Sequence, residues 1–227
     1  MYLLEDMAIV SHAGWRETPR RWGAARSVER SDPEFPAQAR GIERLPTRLW
    51  IRGSVTPEDA LAVAIVGSRR ATLHGLAIAE RLAGDLAARG VTIVSGLARG
   101  IDTAAHRGAL DAGGRTLAVL GSGVDRIYPP ENRGLAARIA ERGAVLSQFA
   151  PDVPALAHHF PVRNRLLAAL ALGVVVVEAA EASGSLITAG HAADLGREVM
   201  AGPGPAGSPS CRGAHGLIRD RAGLVQD

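Results

Sequence analysis

The chain reads as a doubly wound α/β domain, a mostly parallel sheet with helices on both faces, and three observations predict this. Short apolar runs recur at 63–66, 91–94, 116–120, 174–177 and 198–201. Between them lie Ala-, Leu- and Arg-rich stretches with helical spacing, at 73–89, 103–112, 131–142, 163–172 and 186–195. The strand-like runs are apolar throughout rather than alternating, the pattern of parallel strands buried on both faces. Regular alternation of the two kinds of element implies right-handed crossovers within one sheet. The spacing predicts this Rossmann-like domain over 61–227, preceded over 1–60 by an arginine-rich N-terminal arm.

The arm comes first in chain order. The stretch 12–36 holds Pro19, Pro33 and Pro36, several arginines and little periodicity, and reads as irregular. Arg48-Leu-Trp-Ile-Arg52 reads as a short edge strand with Trp50 packed on the border of the core, and Pro57-Glu-Asp as a turn. Residues 1–10 carry Glu5 and Asp6 and no basic segment, which makes a poor signal peptide. The longest apolar run, 166–177, is too short to span a bilayer and contains Gly173. A cytoplasmic protein with no membrane association is expected.

Composition bounds the chemistry. With 47% hydrophobic but only 4% aromatic residues, the core must be built from Ala, Val, Leu and Ile. Every basic residue is arginine, a planar fork suited to phosphates and stacking; a net charge of +3 permits nucleic-acid binding without establishing it. One cysteine, Cys211, excludes an intramolecular disulfide and a cysteine-based metal cluster. No metal or cofactor site is expected.

Ligands of doubly wound sheets bind outside the carboxyl ends of the strands. Those ends read Gly67-Ser68-Arg69-Arg70, then Ser95-Gly96-Leu97-Ala98-Arg99-Gly100-Ile101-Asp102, then Gly121-Ser122-Gly123-Val124-Asp125. The fourth reads Glu178, followed by Ser183-Gly184-Ser185-Leu186-Ile187-Thr188 opening a helix. Glycine lets backbone N–H groups approach an anion, and a helix N-terminus adds partial positive charge. Taken singly, each Ser or Thr serves equally as a helix N-cap. Four successive clusters are better explained by a phosphate-binding role. The dinucleotide fingerprint is absent, and without lysine there is no Walker loop.

A second constellation is His158-His159-Phe160-Pro161-Val162-Arg163-Asn164-Arg165 before a predicted helix. Arg163 and Arg165 can grip phosphates, Asn164 can read a base edge or cap the helix, and Phe160 can stack on a base. Arginine is disfavoured by the dipole at a helix N-terminus, which hints at an anionic ligand. Asp102 and His106 stand four apart on one helical face, where a local hydrogen bond is more usual than an acid–base pair. No triad, HExxH or paired-carboxylate spacing emerges, so no catalytic residue is assigned.

Together these segments resemble the DNA-processing protein A family of bacterial natural transformation. The carrying stretches are Ala64-Ile-Val-Gly-Ser-Arg69, Ser95-Gly-Leu-Ala-Arg-Gly-Ile-Asp102, Ala118-Val-Leu-Gly-Ser-Gly-Val-Asp125, Phe160-Pro-Val-Arg-Asn-Arg165 and Ser183-Gly-Ser-Leu-Ile-Thr-Ala189, in order between Pro33 and Val225. The resemblance implies an extended Rossmann fold that forms a homodimer, binds and protects incoming single-stranded DNA, and loads a RecA-type recombinase. It carries over Gly67, Ser68, Arg69, Phe160, Arg163 and Arg165 as DNA contacts, with the 183–188 loop completing the pocket, and it implies no catalysis. Many members have a helical domain before the core and a winged-helix domain after it. Here both are expected to be missing or degenerate, and Ala169 and Ala171 replace the Gly and Ser common in the family. For the dimer, the apolar stretch Leu217-Ile218 through Leu224-Val225 is expected to need a partner's cover.

Two alternatives share the fold. A phosphoribohydrolase-like enzyme would carry a Pro-Gly-Gly-x-Gly-Thr-x-x-Glu signature, where this chain reads Glu178-Ala-Ala-Glu-Ala-Ser-Gly-Ser-Leu. A small-nucleotide sensor would present the same pocket as a DNA-binding protein.

Overall fold

The computed structural model describes residues 23–226. Among them nine strands form one sheet: β1 (Arg26–Glu29), β2 (Arg48–Gly53), β3 (Ala62–Val66), β4 (Thr92–Ser95), β5 (Thr116–Val119), β6 (Ala144–Ser147), β7 (Gly173–Val176), β8 (Glu198–Ala201) and β9 (Gly223–Leu224). The order is β1-β2-β6-β5-β4-β3-β7-β8-β9. All pairings from β6 to β9 are parallel, while β1 with β2 and β2 with β6 are antiparallel. Seven helices join the described strands: α1 (Ala37–Arg40), α2 (Leu73–Ala88), α3 (Ile101–Asp111), α4 (Arg133–Arg142), α5 (His159–Ala169), α6 (Gly184–Asp194) and α7 (Arg212–Arg219).

The two-residue period of a strand distributes the core to both faces. Ala64 and Val66 of β3 point into one apolar cluster with Val174 and Val176 of β7 and the α5 residues Leu166 and Leu167. Ile65 points the other way, toward Ala79 and Ala83 of α2 and Ala105 of α3. Thus α2, α3 and α4 cover one face and α1, α5, α6 and α7 the other. Chain order reverses beside β3, whose neighbours are β4 and β7, so the topological switch point lies there.

The structure departs from the sequence reading at five places. The strand at Arg48–Arg52, expected at the sheet edge, is β2 and lies between β1 and β6, because β1 pairs along its outer side. Within the described part of the segment expected to be irregular, Arg26–Glu29 forms an edge strand in register with β2, Ser27 opposite Trp50. Its hydrogen-bonding partner supplies what local periodicity lacks. Ala144–Ser147, read as no element, is a central strand that follows α4 with only Gly143 between them. A Cβ on that glycine would stand 2.1 Å from the Thr116 carbonyl, so the chain turns into the sheet with no loop to announce it. The helix expected from Arg163 begins at His159, with Pro161 in its first turn, where a missing N–H costs nothing. Arg163 therefore sits in the second turn, and the dipole argument for an anion there falls away. Finally, α7 and β9 tuck much of the carboxyl-terminal apolar stretch onto the sheet. Leu217, Ile218 and Val225 pack against the core and only Leu224 is exposed.

Among the described residues no helix is long and apolar enough to cross a membrane.

Candidate functional site

The loop after β3 is pressed against the start of α3. The Ile101 N–H donates to the Ser68 carbonyl at 3.2 Å. A Cβ on Gly67 would meet Ile101 at 2.7 Å, and one on Gly100 would stand 2.2 Å from the Ser68 oxygen. Gly100 also holds a φ of +73°, favoured by glycine alone. This clamp projects Arg69 outward. Its guanidinium carbon lies 5.0 Å from the Phe160 ring centroid, a cation–π contact.

Phe160 is half-buried and held from below by backbone, since a Cβ on Gly121 would touch its ring at 2.9 Å. Tyr128 tilts against it at 5.9 Å and 57°, and the exposed Arg99 lies 5.9 Å over the Tyr128 ring while paired to Glu131 at 2.6 Å. The Glu131 hydrogen bond raises the Arg99 pKa. His159 accepts a stacked Phe149 ring at 4.0 Å. Of the described Phe, Tyr and Trp residues, three converge here, in a chain with few aromatics. Tyr128 belongs to the stretch Tyr128-Pro129-Pro130-Glu131-Asn132 that shares in the family resemblance, but the sequence assigns it no contact role; its place just after the third Gly/Ser cluster is the signal.

Arg163, expected from the sequence as a phosphate contact, lies beneath this surface. It is 4% exposed, and its Nη1 donates to the carbonyls of Gly96, at 2.7 Å, and Val119. Its Nε donates to Asn164 Oδ1 at 3.1 Å, and Asn164 Nδ2 reaches the Gly184 carbonyl at 3.2 Å, which ties α5 to α6. Burial pushes the guanidinium pKa down to about 10, so it remains a cation at neutral pH. The nearest counter-charge is Asp102, also buried, whose Oδ2 accepts the N–H groups of Gly96 at 3.1 Å and Ala98 at 3.2 Å. Burial raises the Asp102 pKa, opposed by Arg163. Asp102 and His106 accordingly bond to different partners: His106 Nδ1 meets Thr116 Oγ1 at 2.7 Å.

The remaining predicted residues divide in the same way. Ser95 Oγ donates to the Ile65 carbonyl and Ser122 Oγ to that of Arg126, both at 2.6 Å from buried positions. Ser183 caps α6 by accepting from the Ser185 N–H at 3.3 Å, and Ser185 and Thr188 are buried beneath it. Gly67, Ser68, Arg69, Arg99, Gly100, Phe160, Arg165, Ser183 and Gly184 keep solvent access, while Ser95, Gly96, Gly121, Ser122, Arg163, Asn164, Ser185 and Thr188 lie beneath them. The buried Nε of Arg165 finds no hydrogen-bond partner among the described residues. The arrangement is thus an accessible layer of arginine, aromatic ring and backbone resting on a buried, charged frame.

Fold and site define a doubly wound α/β protein with an arginine–aromatic surface at its strand ends. The model of the DNA recombination-mediator protein A family matches residues 26–227, and the chain belongs to that family. It is 43% identical over 222 residues to Protein Smf of Escherichia coli, covering 97% of this chain and 58% of that one. It thus spans little more than half the length of that relative. The structure is similar to that of DNA processing protein A from Streptococcus pneumoniae, with a TM-score of 0.82, 40% identity and coverage of 91% and 72% of the two chains. It is also similar to DNA processing protein A from Helicobacter pylori, described for its unique single-stranded DNA binding mode, with a TM-score of 0.78, 29% identity and coverage of 89% and 91%.

Proposed function

We propose that this chain binds single-stranded DNA across the carboxyl ends of β3, β4 and β5, in the cytoplasm and as a homodimer. In this role it protects strands taken up during natural transformation and hands them to a RecA-type recombinase. The Rossmann-like unit of 61–227, bordered by β1 and β2, is the DNA-binding part. The observation that carries the reading is Arg69 lying on Phe160. A cation and a half-buried ring on one surface can hold a phosphate and stack a base with no demand on sequence. The buried frame of Arg163 and Asp102 supports that surface from beneath, and the Gly67-Ser68 backbone leads directly into Arg69. The family and the similarity to the H. pylori protein support the same reading.

Competition between single-stranded and duplex oligonucleotides of equal length tests it. Preference for the single strand, with little dependence on base composition, is expected. Equal or tighter duplex binding overturns the assignment.

A further inference from the structure

The topological switch point of a doubly wound sheet is where such folds open a crevice for nucleotides. Here the main chain stays paired past both strand ends. The Val177 N–H donates to Val66 O at 3.0 Å, and beyond it the Ser68 N–H donates to Glu178 O at 2.6 Å. The Glu178 side chain then turns to the start of α2. It is 2% exposed, and its carboxylate accepts the Thr72 N–H at 3.1 and 3.3 Å and the Thr72 hydroxyl at 2.8 Å. It approaches so closely that a Cβ on Gly75 would lie 2.3 Å from Oε2. A ligand phosphate would seek those same donors.

The neighbouring cleft makes the consequence specific. It holds about 590 Å³ and is bordered by His74, Gly75, Glu178, Gly202, Cys211 and Val225. That volume lies within the range of small-molecule sites. Space for a free nucleotide therefore exists beside α2, but the wall where its phosphate would dock is a carboxylate that already holds the donors.

The geometry points to Glu178 as a specificity-determining residue that closes the switch point to free nucleotides and pyrophosphate. The chain's own carboxylate stands in the phosphate position, and anionic ligands are rejected there by like charge. Selection of a polymer over monomers rests on the DNA reading above; closure of the switch point does not. It also separates this chain from the nucleotide enzyme and the nucleotide sensor considered from sequence.

Calorimetric titration with AMP and with pyrophosphate tests the inference on wild type, Glu178→Ala and Glu178→Gln, with an oligonucleotide titrated in parallel. Wild type should show no nucleotide binding up to about 1 mM. Glu178→Ala should gain affinity for AMP or pyrophosphate by about tenfold or more, Glu178→Gln by less, and oligonucleotide affinity should hold. Wild-type binding of AMP below that concentration, abolished by neither variant, overturns the inference. So does a folded variant pair with no gain. If Glu178→Ala fails to fold, Glu178→Gln and the wild-type titration decide. Loss of oligonucleotide binding by wild type would sink the DNA reading alone.

Discussion

Arg163 Nη1 donates to the Gly96 carbonyl at 2.7 Å from a position only 4% exposed, so this arginine holds the end of β4 from beneath the Phe160 ring, 5.9 Å from its centroid. The Asp102 carboxylate answers it by holding the Gly96 and Ala98 N–H groups. The loop after β4 is thereby fixed through both its donors and an acceptor. Removing one member leaves the other buried without its counter-charge, held by its backbone hydrogen bonds alone.

Arg163→Ala should therefore destabilise the fold by about 3 kcal/mol, the scale for breaking a buried pair from one side. Arg163→Lys should recover part of this, because a point charge cannot fork to two carbonyls and Asn164 at once. Urea unfolding measures both. A variant as stable as wild type that has lost DNA affinity would instead make Arg163 a direct contact.

Arg69 is the contrasting case, exposed and resting on Phe160. Arg69→Ala should change stability by no more than about 0.5 kcal/mol. It should weaken single-strand binding and reduce the salt slope by about 0.7, one phosphate contact. Binding isotherms across a salt series give the slope; an unchanged slope removes Arg69 from the interface.

Phe160→Ala should cost about 1–3 kcal/mol of oligonucleotide binding through a lost stack, with the salt slope unchanged. Gly121→Ala probes the same ring from beneath, because its new methyl would press on Phe160 at 2.9 Å. It should lower affinity while leaving Arg69 in place. If quantitative binding finds both variants equal to wild type, the ring is packing only.

His106 sets an acid limit on stability. The Thr116 hydroxyl gives its proton to the Ile93 carbonyl at 2.7 Å, so toward His106 it accepts and Nδ1 carries the hydrogen. Nε2 is buried with no partner among the described residues, and desolvation lowers the pKa to about 3. The unfolded chain binds this proton below pH 6.5 and the native chain does not. His106 thus contributes stability above that pH that is lost as pH falls toward about 3. By pH 4.5 the loss should reach about 2–3 kcal/mol. Asp102, with its raised pKa, acts in the opposite sense and is shared by wild type and variant. The difference between wild type and His106→Asn across a pH series isolates the histidine; parallel curves would refute its role.

Sedimentation equilibrium at micromolar concentration decides the homodimer, for which a doubled mass is expected. The tucking of Leu217, Ile218 and Val225 onto the sheet reduces the apolar surface that a partner would cover.

Local sequence was enough for the parallel core and for the ends that matter. A strand buried on both faces must be apolar along its whole length, which made β3, β4, β5 and β7 legible. Gly67 and Gly100 mark a close approach of backbone, and Arg69 and Phe160 stand out as candidate contacts, but that one lies on the other is set by the fold. Which polar groups face solvent was a different matter. Arg163 and Arg165 look alike in sequence, yet Arg163 turns inward because its acceptors come from Gly96 and Val119, 67 and 44 residues away. Glu178 looked like a strand terminus until α2, 106 residues earlier, brought Thr72 to it. The edge strand β1 exists because β2 pairs with it, while β6, apolar like its parallel neighbours, is hidden in the sequence because it follows α4 with one residue between them. Periodicity records how a residue meets the core. The orientation of a charged group is set by partners that only the folded chain brings near, since desolvation penalises the charge wherever those partners are missing.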